Sequence, residues 1–435
     1  MVPEPVKIFT PKTSPRLAYI ADLILNEILG LQWQIISDRR KIGKCPVINY
    51  SHELIKGSFK ISPADILFEN GITRQEIEVS EWNGLPVFFR SSPDSDMPFD
   101  IFAASFYMVT RYEEYLEFEP DEFGRFRASD SLAYRNGFLE KPVVDLWVRE
   151  FAKALVRKYH TLSFRRHEFR AMLTIDIEEP FAYLGKNLIG DIGGFIHDLA
   201  AGRGAASQRF DCLVKGSKDP YDLIGYIQET ASIYKTDARY FFFVGDHSVN
   251  DRNPSWKNQE YRNLLKSVSA KAPAGINPSV KASVDLKQLN TEVKRFRSVT
   301  GESALKCRFH LFRIKMPVSY ANLSESGITE DYSMGFPENP GFRAGFSRDF
   351  YFYDVSEDLL TNLRIIPFQL MDITLKDYKK LDPSSAQEAI RTVASAVRDV
   401  GGIFVTIWHN TTLLDTPECR RWRDVFEYTA GELRN

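Results

Sequence analysis

The stretch AMLTIDIEE, residues 171–179, decides how the rest of the chain is read. Leu173, Ile175 and Ile177 alternate with Thr174, Asp176 and Glu178, the period-two pattern of a β-strand. One face of that strand is apolar, and the other ends in two carboxylates. Carboxylates so close repel unless a proton or a cation compensates. They are therefore paired with arginine, cap a helix, or do chemistry.

Similar apolar runs follow at intervals: ARYFFFVG (238–245), AGINPS (274–279), CRFHLF (307–312), RIIPFQLMDITL (364–375) and IFVTIWH (403–409). Strands separated by helical or loop segments predict an α/β architecture with a parallel sheet, and nearly continuous apolar strands fit burial on both faces. The expected form is an incomplete or distorted (β/α) barrel, with an open doubly wound sheet as the alternative. In a barrel, carboxylates at the C-terminal end of a strand lie at the active-site rim. No glycine-rich phosphate-binding motif follows the first strand, which argues against a dinucleotide or P-loop site.

Upstream the pattern differs. Residues 17–31, 99–116 and 142–159 predict helices, and ADILFEN (64–70) and LPVFFR (85–90) predict short strands. The basic stretch FRRHEFR (164–170) marks the change. The expected division is a smaller mixed α/β domain over 1–165 and the barrel over 166–435.

Composition bounds the partners. The chain has 435 residues, 43% hydrophobic and 26% charged, with 56 Lys and Arg against 58 Asp and Glu. Neither a disordered chain nor a nucleic-acid or anionic-membrane partner is expected from that balance. Cys45, Cys212, Cys307 and Cys419 have no metal-ligand or disulfide spacing. The opening MVPEPVKIFTPKTSPR carries no apolar signal core, and no run is long enough to span a bilayer. A reduced, cytoplasmic protein is the expectation.

Other residues stand where chemistry is possible. His409 falls at the end of the last strand, where an imidazole can act as a general acid or as a hydrogen-bonded structural residue. Arg343, in Gly341–Gly345, is framed by glycines and can orient a carboxylate or an acyl group, or simply occupy a turn. Trp408, Tyr332, Trp256 and Phe346 can line a sugar cleft or pack in the core. His247 follows the strand at 238–245 and can reach the same rim.

Taken in order, the segments LTIDIEEPFAY (173–183), RYFFFVGDH (239–247), GINPSVKAS (275–283), RFHLFRIKMP (308–317), GITEDYSMGF (327–336), GFRAG (341–345), IPFQLMDITL (366–375) and FVTIWHN (404–410) resemble the polysaccharide deacetylase superfamily, carbohydrate esterase family four, with the NodB-homology fold. FDIFAASFYMVTRYEEY (99–115) and SLAYRNGFLEKPVVD (131–145) resemble a Bacteroidota-type subgroup with an extra N-terminal domain of unknown function.

The resemblance implies Asp176 as general base, Arg343 as the residue that orients it, and His409 as the acid that protonates a leaving amine. It implies Glu178 as ligand of a divalent metal (zinc, manganese or cobalt). It also places histidine metal ligands at positions that here read Asn277 and Lys281. Asn277 is a weak substitute for imidazole, and Lys281, if it faces the cleft, can neutralise the carboxylates without activating water. His310 is then the candidate rescue ligand. The implied activity is hydrolysis of a non-peptide C–N bond in an N-acetylated sugar or glycan, with a degraded metal site. The alternatives are an inactive relative that binds glycan or a protein partner, and a metal-independent amide hydrolase of the same fold.

Overall fold

The computed structural model describes residues 5–184, 203–251 and 254–433. The first part of the chain forms a small parallel sheet from β1 (Val6–Phe9), β2 (Trp33–Ile36), β3 (Val47–Tyr50) and β4 (Phe59–Ile61), in the order β2-β1-β3-β4. A hairpin of β5 (Ser80–Trp82) and β6 (Leu85–Val87) follows. The expected strand at 64–70 is instead a single 3₁₀ turn over Asp65–Leu67. Of the expected helices, 142–159 forms as Val143–Lys158, whereas 17–31 is α-helical only over Pro15–Ala21 before a π-helix over Asp22–Ile28, and 99–116 stops at Val109, with Arg111 at φ of 55° and a 3₁₀ turn over Tyr112–Tyr115. Ile101–Val109 is buried along its whole length, and the Asp100 side chain caps it by accepting from the Phe102 and Ala103 amides. Val143–Lys158 is amphipathic and buries Val144, Trp147, Val148, Phe151 and Leu155.

After an irregular stretch over 162–169 the large sheet begins. Its strands are β7 (Arg170–Ile177), β8 (Asp237–Phe243), β9 (Ala274–Asn277), β10 (Lys306–Cys307), β11 (Glu330–Asp331), β12 (Phe350–Asp354), β13 (Leu359–Ile365), β14 (Leu370–Met371) and β15 (Ile403–His409). Their order is β12-β13-β11-β10-β9-β8-β7-β15-β14, and every pairing is parallel except β12 with β13. No ladder joins the two edges, β12 and β14, among the described residues. Yet β13 and β14 are consecutive in the chain, with only Ile366–Gln369 between them. The Ile366 and Phe368 amides bond to the carbonyls of Asp331 and Met334, and the Gln369 amide to that of Val405. The parallel ladder thus starts and finishes on one stretch of chain.

Side-chain parity separates two cores. Leu173, Ile175, Ile177, Phe404 and Trp408 belong to the main core, which also takes in Val6 through Leu155 from the first part of the chain. The opposite face carries a smaller cluster that includes Met172, Phe241, Ile403, Val405 and Ile407. Thr174, Asp176 and Glu178 share the parity of Met172, and His409 shares that of Ile407. The candidate site therefore caps the small core. The expected strand at 307–312 breaks after Cys307, and a 3₁₀ turn over His310–Phe312 replaces it, with Leu311 and Phe312 at φ of 54° and 56°. That break lifts His310 out of the ladder and onto the rim.

Candidate active site

β7 and β15 are neighbours in register, so Asp176 and His409 stand opposite each other at the C-terminal ends of adjacent strands. Asp176 is buried, and Arg308 donates to its Oδ1 at 2.7 Å and to Thr174 Oγ1 at 2.6 Å. Arg308 also donates to the Tyr332 carbonyl and lies over the Phe241 ring. Burial raises the Asp176 pKa, opposed by the charges of Arg308 and His409.

His409 is held by Asp372. Its backbone amide donates to Asp372 Oδ2 at 2.8 Å, and its Nδ1 is 2.7 Å from Asp372 Oδ1. With Nδ1 committed, Nε2 faces the site, 3.9 Å from Asp176 and 3.8 Å from Glu178. Burial alone would lower the imidazole pKa; the Asp372 charge and hydrogen bond, then Glu178 and Asp176, push it up to about 10. His409 is consequently an imidazolium at neutral pH, a loaded proton donor.

A second pair repeats the design. His310 Nδ1 is 2.8 Å from the buried Asp251, and its Nε2 is 3.5 Å from Glu178. Burial lowers its pKa, and the bonds to Asp251 and Glu178 overcome that and raise it to about 9. Glu178, 30% exposed, is bracketed by the two imidazoles. Burial would raise its carboxyl, but the His310 bond and the charges of His409 and His310 hold it at about 2.

Several expected residues lie elsewhere. Arg343 does not touch Asp176. It is buried against Glu114, at 2.9 and 2.5 Å, and donates to the Gly335 carbonyl. Its framing glycines serve packing: a Cβ at Gly341 would meet the Leu139 carbonyl at 2.6 Å, and one at Gly345 the Met108 side chain at 2.9 Å. Arg308 occupies the place expected for Arg343. Lys281 is 70% exposed and pairs loosely with Asp285 at 3.8 Å, so it does not neutralise the carboxylates. Trp408 points away from His409 by parity and packs edge-on against Phe426 in the main core. Tyr332 is core as well, its hydroxyl donating to Glu330 at 2.6 Å. Phe346 is buried, and Trp256 stacks with Arg295. His247 is exposed in the loop after β8.

Asn277 ends β9, is buried, and its Oδ1 has no hydrogen-bond partner. An orphaned buried oxygen of this kind calls for a donor or a cation. A catalytic zinc needs three protein ligands with neutral imidazole among them. Among the described residues no three His, Cys, Asp or Glu side chains group to hold a metal ion. His310 is held as a cation between Asp251 and Glu178 and so is not the neutral imidazole required, and Asn277 offers only an amide oxygen, so these residues do not make up that set.

Asp251, Arg308 and Asp372 escaped the sequence reading. Asp372 follows β14 immediately, and that strand-end position was the available signal. Asp251 carries none, since it comes from an irregular loop and meets His310 only in the fold.

The family model that matches the chain, over residues 6–160, describes a family of unknown function, DUF7033. No curated protein matches. Among solved structures, similarity is found to a Mycobacterium smegmatis protein described as a polysaccharide deacetylase, at 14% identity and a TM-score of 0.37, covering 62% of this chain and 86% of that one. A Pseudomonas aeruginosa PAO1 protein described in the same terms matches at 9% identity and a TM-score of 0.37, covering 60% and 84%. The Thermococcus litoralis 4-alpha-glucanotransferase matches at 13% identity and a TM-score of 0.37, covering 62% of this chain and 37% of that one. These superpositions are loose and join proteins of different activities, so the site residues themselves carry the functional argument.

Proposed function

We propose that the chain is a hydrolase of amide C–N bonds, acting on an N-acetylated sugar or glycan. One observation carries the reading: Asp372 fixes His409 so that its Nε2 faces Asp176 and Glu178 at 3.9 and 3.8 Å. In this reading Asp176 takes a proton from water as the water oxygen attacks the acyl carbon. His409 gives its proton to the departing nitrogen, and the products are acetate and a free amine. Arg308 positions Asp176. Residues 166–435 form the catalytic part as a distorted (β/α) barrel, and 1–165 an accessory domain that packs on it. The location in this reading is cytoplasmic; no helix among the described residues is long and apolar enough to cross a membrane.

The test is acetate release from N-acetylglucosamine oligomers, run with and without added zinc, manganese or cobalt. Release that Asp176→Asn and His409→Ala abolish supports the reading. No release under any metal condition overturns it.

A second reading is favoured by Asn277, whose orphaned oxygen stands where the resembled family places a histidine. There the cleft binds glycan without turnover, or hydrolyses small cyclic amides without metal. Calorimetry with the same oligomers and turnover of cyclic amides separate the two.

A further inference from the structure

Two cavities meet at the end of the large sheet opposite Asp176 and His409. The larger, about 840 Å³, opens where β7 and β15 begin, beside the 23–28 and 165–170 segments. Five arginines line it, Arg165, Arg166, Arg170, Arg348 and Arg364, against Glu27, Glu168 and Asp349. The smaller, about 460 Å³, shares Leu23, Glu27 and Tyr351 with it and continues along Trp33, Leu359 and Leu360. Leu359 and Leu360 are 58% and 52% exposed, an unusual cost for adjacent leucines at a hairpin.

The guanidinium groups are unequally engaged. Arg348 is committed to Asp145 and to the Val400 carbonyl. Arg165 gives one bond to the Glu27 carbonyl. Arg364 gives its Nε to Asp349 and stays half exposed. Arg170 is 65% exposed and no nearer than 3.6 Å to Asp349. Arg166 makes no hydrogen bond or ion pair among the described residues. Four arginines of the lining thus keep unused N–H donors, and a planar guanidinium matches the oxygens of phosphate or carboxylate.

We propose that the joined cleft binds an amphiphilic anion, its phosphate or carboxylate head on Arg165, Arg166, Arg170 and Arg364 and its apolar body along Trp33, Leu359 and Leu360. The site is separate from the candidate active site. β7 begins at Arg170 and carries Asp176 six residues on, about 20 Å away at the usual rise per residue.

The experiment is calorimetric titration of the full chain with dodecyl phosphate below its micelle concentration, beside inorganic phosphate and a neutral dodecyl glycoside. The expected result is one dodecyl phosphate per chain, bound at least about tenfold more tightly than either half-ligand. Arg166→Glu with Arg170→Glu, and separately Leu360→Asp, should each weaken it by about tenfold or more with unchanged melting, these side chains being exposed. Acetate release, if present, should not change, because neither variant touches the catalytic end. Equal binding of a half-ligand, or binding that both variants leave intact, would overturn the proposal. So would association with phosphatidylglycerol vesicles without binding of monomeric dodecyl phosphate.

Discussion

His409 and Asp176 are register partners across β15 and β7, and their side chains face each other at 3.9 Å above the small inner core. One is a cation fixed by Asp372, the other an anion fixed by Arg308. An acid and a base placed this close on rigid strand ends need little rearrangement to act on one substrate bond. His409→Ala is expected to lower kcat for acetate release by about 10²–10⁴-fold, the usual worth of a positioned proton donor, with far-ultraviolet dichroism unchanged. A variant of undiminished kcat would remove His409 from the mechanism.

The two buried arginines should behave differently. Arg308→Met is expected to abolish activity, because it leaves Asp176 buried without its cation. Arg343→Met removes one of the two buried cations on Glu114 and leaves Arg111, 2.7 Å away, as its partner. It should lower stability by less than the about 3–5 kcal/mol of a fully broken buried pair, while the folded enzyme keeps its pH–rate profile. Denaturant unfolding and rate profiles on both variants check this; a shifted profile in Arg343→Met would return that residue to the active site.

Asn277 stands where the resembled family places a histidine ligand, so a histidine there tests whether that position shares a site with Glu178 and His310. Asn277→His is expected to bind zinc near one equivalent per chain, measured by elemental mass spectrometry after dialysis. No gain over wild type would mean that position 277 does not share a site with Glu178.

The imidazoles set a pH dependence of stability. The folded pKa of His409 is raised from 6.5 to about 10, so the folded state binds its proton more tightly than the unfolded chain. That stabilisation is complete below pH 6.5 and disappears as pH rises toward 10. Wild type should therefore lose more melting temperature between pH 7 and 10 than His409→Gln does. Glu178, lowered from 4.5 to about 2, acts oppositely: its contribution is present above pH 4.5 and fades as pH falls toward 2. Parallel melting curves for wild type and His409→Gln across the alkaline range would contradict the charged state assigned to His409.

The two parts of the chain are interlocked by buried charge. Glu114 holds Arg343, Asp145 holds Arg348 and Ser347, and Arg16 reaches Asp358. A 166–435 fragment would strand Arg343 in the core, so it is expected to be insoluble or molten when expressed alone. A monomeric fragment with cooperative unfolding would show that the first part is dispensable for folding.

How much of this was legible depended on whether the signal was local. Alternation marked β7 and β15 nearly to the residue, because long apolar strands buried on both faces leave an uninterrupted pattern. It also held the answer for Trp408, since a residue next to His409 on a strand must face the other way. The four-stranded sheet of the first part was not legible; strands of three or four residues are too short to show a period. Arg343 drew the eye by its glycine frame and Arg308 had no such mark, because glycine records close approach without saying to what. At Gly341 it is the Leu139 carbonyl. The Asp251–His310 pair joins residues 59 apart in sequence and became visible only once the chain was folded.

The stretch from Leu359 to Met371 fastens both flanks of the large sheet, one through β11 and the other through β15. The four residues Ile366–Gln369 are thus a covalent tie between the two flanks, and their amides bond to Asp331, Met334 and Val405. A nick there cuts the tie while leaving the β11–β13 and β14–β15 pairings in place. The proton donor on β15 and its base on β7 depend on that tie only through the strands beside it.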